Sequence, residues 1–186
     1  MRELQEALSV EDGVKELIPE TEFIDPYYVV ECCQSLINHG QDTQTVRLAH
    51  YTLNDFLRAK YIAVLPTSVY LARTCLTYLN FDEFGIPCRE ETLVKKRLGA
   101  FQFVGYAGSF WDAHAEGDPD LDLDILRAVF RIFATPSRLT SLMELRKVCG
   151  TSYQNYDWST DISETALHTV GRYGLSTICK RFLDGK

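Results

Sequence analysis

The chain has 186 residues, 46% of them hydrophobic and 24% charged, with a formal net charge of -7. That length is enough for a buried core and for one large domain, or one domain plus a fragment. The acids are spread along the chain rather than gathered in a tail, which leaves no electrostatic footprint for nucleic acid or an anionic membrane.

Met1 is followed by RELQEALSVEDG, a charged stretch without the apolar segment of a secretory signal. No apolar run approaches the ~20 residues of a membrane helix, so a cytoplasmic protein is expected. Cys32, Cys33, Cys75, Cys88, Cys149 and Cys179 form no CxxC pair and no framework spacing. They read as free thiols of a reducing compartment, and no metal is expected.

Glu3 to Val10 reads as a short helix with Leu4, Ala7 and Leu8 on one side, followed by a loop through Gly13, Pro19 and Thr21. Asp25-Pro26 supplies an N-cap with proline in the first helical position. The helix it opens, Tyr27 to Ile37, is apolar over most of its surface and is expected to be buried. Asn38-His39-Gly40 stops it. Between Gln44 and Ala49 the residues alternate, Val46 and Leu48 inward, Thr45 and Arg47 outward, the period of a half-buried strand. The polar GQDTQ before it suits a hairpin tip. His50 ends that strand and an amphipathic helix starts at once, with Thr52 as cap and Asp55 as a shortened capping box. An imidazole is thereby set beside a helix N-terminus, where backbone N–H groups and the macrodipole favour anions. This is the one place where the sequence hints at chemistry.

From Pro66 onward the pattern is helical. Val69, Ala72, Cys75, Leu76 and Leu79 form one stripe, and Phe81 to Gly85 is a break. Glu90 to Leu98 is a charged helix whose Glu90-Glu91 and Lys95-Lys96-Arg97 read as a solvated face with pairing four residues apart. Phe101, Val104, Ala107 and Trp111 stripe the next helix, which is dense enough in aromatics to be sandwiched between neighbours. Asp118-Pro119 repeats the helix-start device, and Leu126, Val129, Phe130 and Phe133 supply the buried face that follows. Pro136 ends that helix, and Leu139, Leu142, Met143 and Leu145 stripe another. Gly150 to Ser163, with Tyr153, Tyr156 and Trp158, reads as a linker that packs down. Thr165 to Lys186 forms two short helical stretches around Gly174.

Several chemistries fail on these residues. A DNA-reading helix needs phosphate-neutralising cations and base-edge donors, and Tyr27 to Ile37 holds Glu31 and neither lysine nor arginine. Neither Gly108-Ser109-Phe110 nor Gly150-Thr151-Ser152 makes a G-x-S-x-G elbow. Cys75 lies on an inward helical stripe, where a thiol is inert. Adjacent Cys32 and Cys33 beside His39 are a poor zinc set. The chain is expected to be no enzyme, with neither catalytic residue nor cofactor.

TALHTVGRYGLSTICKRFL resembles the ankyrin repeat, with Thr165, Leu167, His168, Gly174, Ile178, Phe182 and Leu183 in register, Ala166 in place of the usual proline and Val170-Gly171 in place of the alanine pair. The resemblance implies that Thr165 caps the first helix and engages His168. One such unit cannot bury both faces of its helices, and stable arrays need about three repeats. Ile178, Phe182 and Leu183 are therefore expected to be partly uncovered unless the helices of 118–149 shield them.

ELQEALSV, DPYYVVECCQSLI, VRLAHYTLNDFL, LARTCLTYLNFDEF and FQFVGYAGSFWDAHA resemble the winged-helix region called "GPI inositol-deacylase winged helix" in fungal-type NACHT proteins, signal-transducing STAND NTPases, with the helical spacer before their ankyrin arrays. VRLAHYTLNDFLRA also resembles the histidine-bearing segment of NACHT winged helices, with Asn54-Asp55 in place of Gln-Glu. The resemblance implies a mainly α chain: a winged helix over 1–64, a packed helical spacer over 65–150, a linker over 151–163 and an incomplete ankyrin repeat over 164–186. It implies a non-catalytic regulatory and scaffold segment with protein partners, flanked by an upstream NACHT domain and a downstream ankyrin array. For His50 two readings stand. In a NACHT-containing protein it senses the β-phosphate of ADP. In this chain, which has no GxxxxGK[ST] loop, it is a core or capping residue. A stand-alone interaction module using the exposed C-terminal edge is the other functional reading.

Overall fold

The computed structural model describes residues 1–11, 13–40, 42–63, 65–115, 123–150, 165–172 and 174–184. Within them the protein is mainly helical, with ten α-helices and one two-stranded antiparallel sheet. The expected Asp118-Pro119 start and the 151–163 linker lie outside the described residues.

The core is built by α4 (Ser68–Leu79), α6 (Val104–Ala115), α7 (Leu123–Phe133) and α8 (Pro136–Gly150). Helix α6 packs against both α4 and α8, and α7 closes on the same two. The stripes fall inward at helical spacing: Ala72, Cys75, Leu76 and Leu79 from α4, Val104, Ala107 and Trp111 from α6, and Leu126, Val129 and Phe133 from α7. Thr67 caps α4, its hydroxyl accepting the Tyr70 N–H at 3.1 Å. The break after α4 is a 3₁₀ turn at Asp82–Phe84, in which Phe84 and the preceding Phe81 are buried against Tyr78.

Helix α1 (Arg2–Leu8) docks on this body with Ala7 against the core as expected, but not with Leu8. Leu8 is exposed, and the residue turned inward is Glu6, fully buried. Its carboxylate accepts from the Arg2 Nε at 3.0 Å, the Tyr78 hydroxyl at 2.5 Å and the Phe103 N–H at 3.0 Å. Those donors replace the water a buried carboxylate loses, so α1 packs through a charge rather than through Leu8.

Helix α5 (Glu91–Ala100) keeps the expected Glu91–Lys95 pair on its solvated side. Arg97 departs from the expectation. It donates to the Ser141 hydroxyl (3.1 Å) and to the Glu83 and Ile86 carbonyls (3.1 and 2.7 Å), tying the turn after α4 to α8. Glu144 on α8 completes that tie, accepting the Cys88 and Arg89 N–H groups at 2.6 and 2.7 Å.

Between α1 and α4 the expectation needs most correction. Helix α2 (Pro26–Cys32) opens as predicted, with the Asp25 carboxylate accepting the Tyr27 N–H, but it ends at Cys32 rather than Ile37. Gln34 and Ser35 take left-handed backbone angles (φ 44° and 68°), and the chain turns into β1 (Ile37–Gly40). Pairing of β1 with β2 (Thr45–Leu48), Ile37 opposite Leu48 and His39 opposite Val46, outweighs the helical pattern. Asn38, His39 and Gly40 thus form a strand instead of a helix stop, and Leu48 is exposed where an inward side chain was expected. Helix α3 (Tyr51–Tyr61) follows. No described residue from 10 to 71 is buried, so α2, the hairpin and α3 gather around no core of their own.

Burial of two ionisable groups in α4 sets an alkaline limit on stability. Burial pushes the Cys75 thiol from 9.0 up to about 12, and burial, then the Glu6 carboxylate, raise the Tyr78 phenol above its ordinary 10.0. Both shifts favour the protonated folded form, so the unfolded chain ionises first as pH rises. Stability is full below pH 9.0 and is expected to fall by about 1.4 kcal/mol per pH unit above it, more steeply once Tyr78 adds its share above 10.0. Urea unfolding across this range should show the slope, and Cys75→Ala should make its first part shallower without abolishing it, since burial also raises the Cys88 thiol.

Candidate functional site

The backbone of β2 stays extended through His50 (φ -145°, ψ 145°), which places His50 itself, not Thr52, at the N-cap of α3. Its Nδ1 accepts the Thr52 N–H at 3.3 Å and lies 2.7 Å from the Thr52 hydroxyl. The imidazole sits where a serine or aspartate oxygen ordinarily sits, and Thr52 supplies the donors. Accepting at Nδ1 puts the proton of the neutral ring on Nε2. The Leu53 N–H is also spent, on the His50 carbonyl at 3.1 Å. Two of the amides an anion would use are therefore engaged within the chain. His50 is exposed and its ring tilts over Tyr51, with centroids 4.6 Å apart.

The C-terminal pair of helices, α9 (Ala166–Arg172) and α10 (Ser176–Asp184), forms a second candidate region. The Thr165 hydroxyl lies 2.9 Å from His168 Nδ1 and 3.4 Å from the His168 N–H. Gly174 takes the left-handed conformation (φ 66°), and Leu175 donates back to the Val170 carbonyl at 3.2 Å. That bond closes the turn and lets α10 return along α9. Val170, Leu175 and Ile178 join the same core as α8, and the Thr169 hydroxyl reaches Met143 Sδ at 4.0 Å. Ile178 is thus shielded, whereas Leu167 is half exposed and Leu183 is 68% exposed. The Phe182 side chain lies outside what is described.

No family model, curated protein or solved structure matches the chain.

The surface itself supplies what sequence reading missed. Tyr27 on α2 and Tyr51 on α3 are each 79% exposed, Ile62 just after α3 is 64% exposed, and Tyr28, Phe56 and Tyr61 are also uncovered. Phe56 and Tyr61 touch edge to face at 5.7 Å, which holds part of this apolar face in a fixed arrangement. Large apolar side chains left in water in this number on neighbouring elements are a feature that a covering partner would relieve. A broad cleft of about 1170 Å³ opens between α1, α2 and the hairpin, lined by Arg2, Tyr27, Glu31 and His39 among others. Among the described residues no group of three or more His, Cys, Asp or Glu gathers as a metal site, and no helix is long and apolar enough to cross a membrane. Cys75, on the buried face of α4, carries a thiol held protonated by its surroundings. Its environment is opposite to that of a nucleophilic cysteine.

Proposed function

We propose that the chain is a non-catalytic regulatory and scaffold segment of the NACHT–ankyrin kind, in which the α2–hairpin–α3 unit plays the part of a winged helix and α9–α10 that of an incomplete ankyrin repeat. The observation that carries the reading is the exposure of large apolar side chains on α2, on α3 and just after α3, with Tyr27, Tyr51 and Ile62 in water. Helices with no buried residue gain little from packing within the chain, so their stability and purpose lie in covering contacts with another protein surface. The Thr165–His168 contact and the Gly174 turn lend support to the ankyrin part, through the hydroxyl-to-imidazole device that the resemblance implies.

Photo-crosslinking in cells tests this. A benzoylphenylalanine in place of Tyr51 should give protein adducts of a few discrete sizes, and the same probe in place of Lys95, on the solvated side of α5, should give none. No adduct at 51, or equal adducts at both positions, would overturn the reading. The alternative is a nucleotide-sensing segment of an ATP- or ADP-dependent NTPase, and it draws on one observation: an exposed imidazole at the start of α3. Calorimetry with millimolar ADP separates the two. The scaffold reading predicts no heat, and binding lost in His50→Ala would favour the alternative.

A further inference from the structure

We propose that helix α3 docks on α3 of a second copy of this chain, the two helices antiparallel about a two-fold axis. The inference rests on the scaffold reading and gives the same exposed surface its partner. Leu53 and Leu57 are the half-buried residues of α3, so the side that carries them faces the protein. A helix turns by about 100° per residue, which puts Tyr51, Asp55, Arg58 and Ile62 together on the opposite side. All four are exposed, Tyr51 by 79% and Ile62 by 64%. Ile62 follows the last turn with helical angles (φ -52°, ψ -34°), so it continues the same stripe.

The stripe is self-complementary. Its residues are spaced by four, three and four positions, as in a heptad seam, with apolar side chains at both ends and opposite charges between them. Tyr51 and Ile62 stand equally far from a midpoint between Phe56 and Leu57, and so do Asp55 and Arg58. When a second α3 lies antiparallel on that midpoint, Tyr51 of one copy meets Ile62 of the other, and Asp55 of one meets Arg58 of the other. Each contact then occurs twice, because a two-fold interface uses one patch on both copies. A parallel pair would set Asp55 against Asp55 and Arg58 against Arg58, which like-charge repulsion disfavours. A different protein would not require residues of α3 to pair off about their own midpoint.

Both charges are open to such a contact. Asp55 is in no ion pair among the described residues, although Arg58 stands only three positions away on the same helix. Arg58 spends its Nε on the Asn54 side chain at 3.2 Å, which directs the guanidinium and leaves its terminal nitrogens to donate. The Tyr51 ring already rests against His50, with centroids 4.6 Å apart, so covering it costs little further freedom. Two helical seams of this length bury less than the ~1,600 Å² of a standard interface, so association is weak and grows with protein concentration.

Sedimentation equilibrium of the full chain at up to about 300 μM tests the proposal, and the mass should rise toward that of two copies. Charge reversal separates this seam from any other self-contact. Asp55→Arg and Arg58→Asp, both at exposed positions, should each weaken dimerisation by at least about tenfold. An equimolar mixture of the two variants should recover it, since opposite charges then face each other again across the seam. A monomer at every concentration, or dimerisation unchanged by either reversal, would overturn the seam. Failure of the mixture to recover would overturn the pairing of Asp55 with Arg58. Benzoylphenylalanine in place of Tyr51 keeps the two readings apart. An adduct of twice the chain mass supports the dimer; adducts with other proteins alone overturn it and leave the scaffold reading standing; no adduct overturns both.

Discussion

Glu6→Ala is expected to lower unfolding stability by about 3–5 kcal/mol, because it removes the buried carboxylate that joins α1 to the helical body. The Tyr78 hydroxyl and the Phe103 N–H would be left in an apolar surrounding without their acceptor, and Arg2 would lose its inner partner. Glu6→Gln keeps the shape and an acceptor oxygen, so it should cost less than half as much. The comparison separates loss of hydrogen bonds from loss of volume. Urea unfolding followed by circular dichroism measures both. If Glu6→Ala were within about 0.5 kcal/mol of the parent, as for an ordinary surface change, α1 would not be docked as described.

Glu144→Ala is the second large effect, at about 2–4 kcal/mol. The Glu144 carboxylate holds two successive N–H groups, those of Cys88 and Arg89, and Arg89 takes a left-handed angle (φ 58°) that a non-glycine residue adopts at a cost. Without the carboxylate the turn should relax, and two amides would need water. Cys88 reports this locally. Its thiol is buried, and burial raises its pKa, so alkylation is slow in the parent. Alkylation of Cys88 should accelerate in Glu144→Ala before global unfolding, and an unchanged rate would show that Arg97 and its carbonyl partners hold the turn without Glu144.

Both effects rest on charged residues turned inward, which the sequence conceals. Periodicity places α4, α6, α7 and α8 well because Ala72, Leu76, Val104, Trp111, Val129 and Leu142 repeat at helical spacing over three or more turns. In seven-residue α1 the pattern is too short to fix a face, and Glu6 reads as a surface residue until its donors are seen. The stretch Tyr27 to Ile37 misled for another reason. Its apolar content signals burial only when something in the chain covers it, and among the described residues none of this stretch is fully buried. Its second half is taken by strand pairing with Thr45 to Leu48, a contact between segments that local propensity does not record.

The candidate sites divide in the same way. Thr165, His168 and Gly174 were legible because their interactions span only a few residues: a hydroxyl three positions before an imidazole, and a glycine at a left-handed turn. His50 was legible as a helix-start residue but not as the cap itself, since that depends on how far the extended backbone of β2 continues. A cleft between α4 and α7 was invisible, since Arg73 and Arg127 come to line it together only through the packing of those two helices.

Backbone hydrogen exchange tests most directly whether the apolar residues of α2, the hairpin and α3 stand uncovered beside a closed helical body. The account predicts slow exchange, approaching the limit set by global unfolding, for amides of α4, α6, α7 and α8, and exchange faster by orders of magnitude across residues 26–61. Protection of residues 26–61 equal to that of the four core helices in the isolated chain would contradict it, because those helices would then be covered from within.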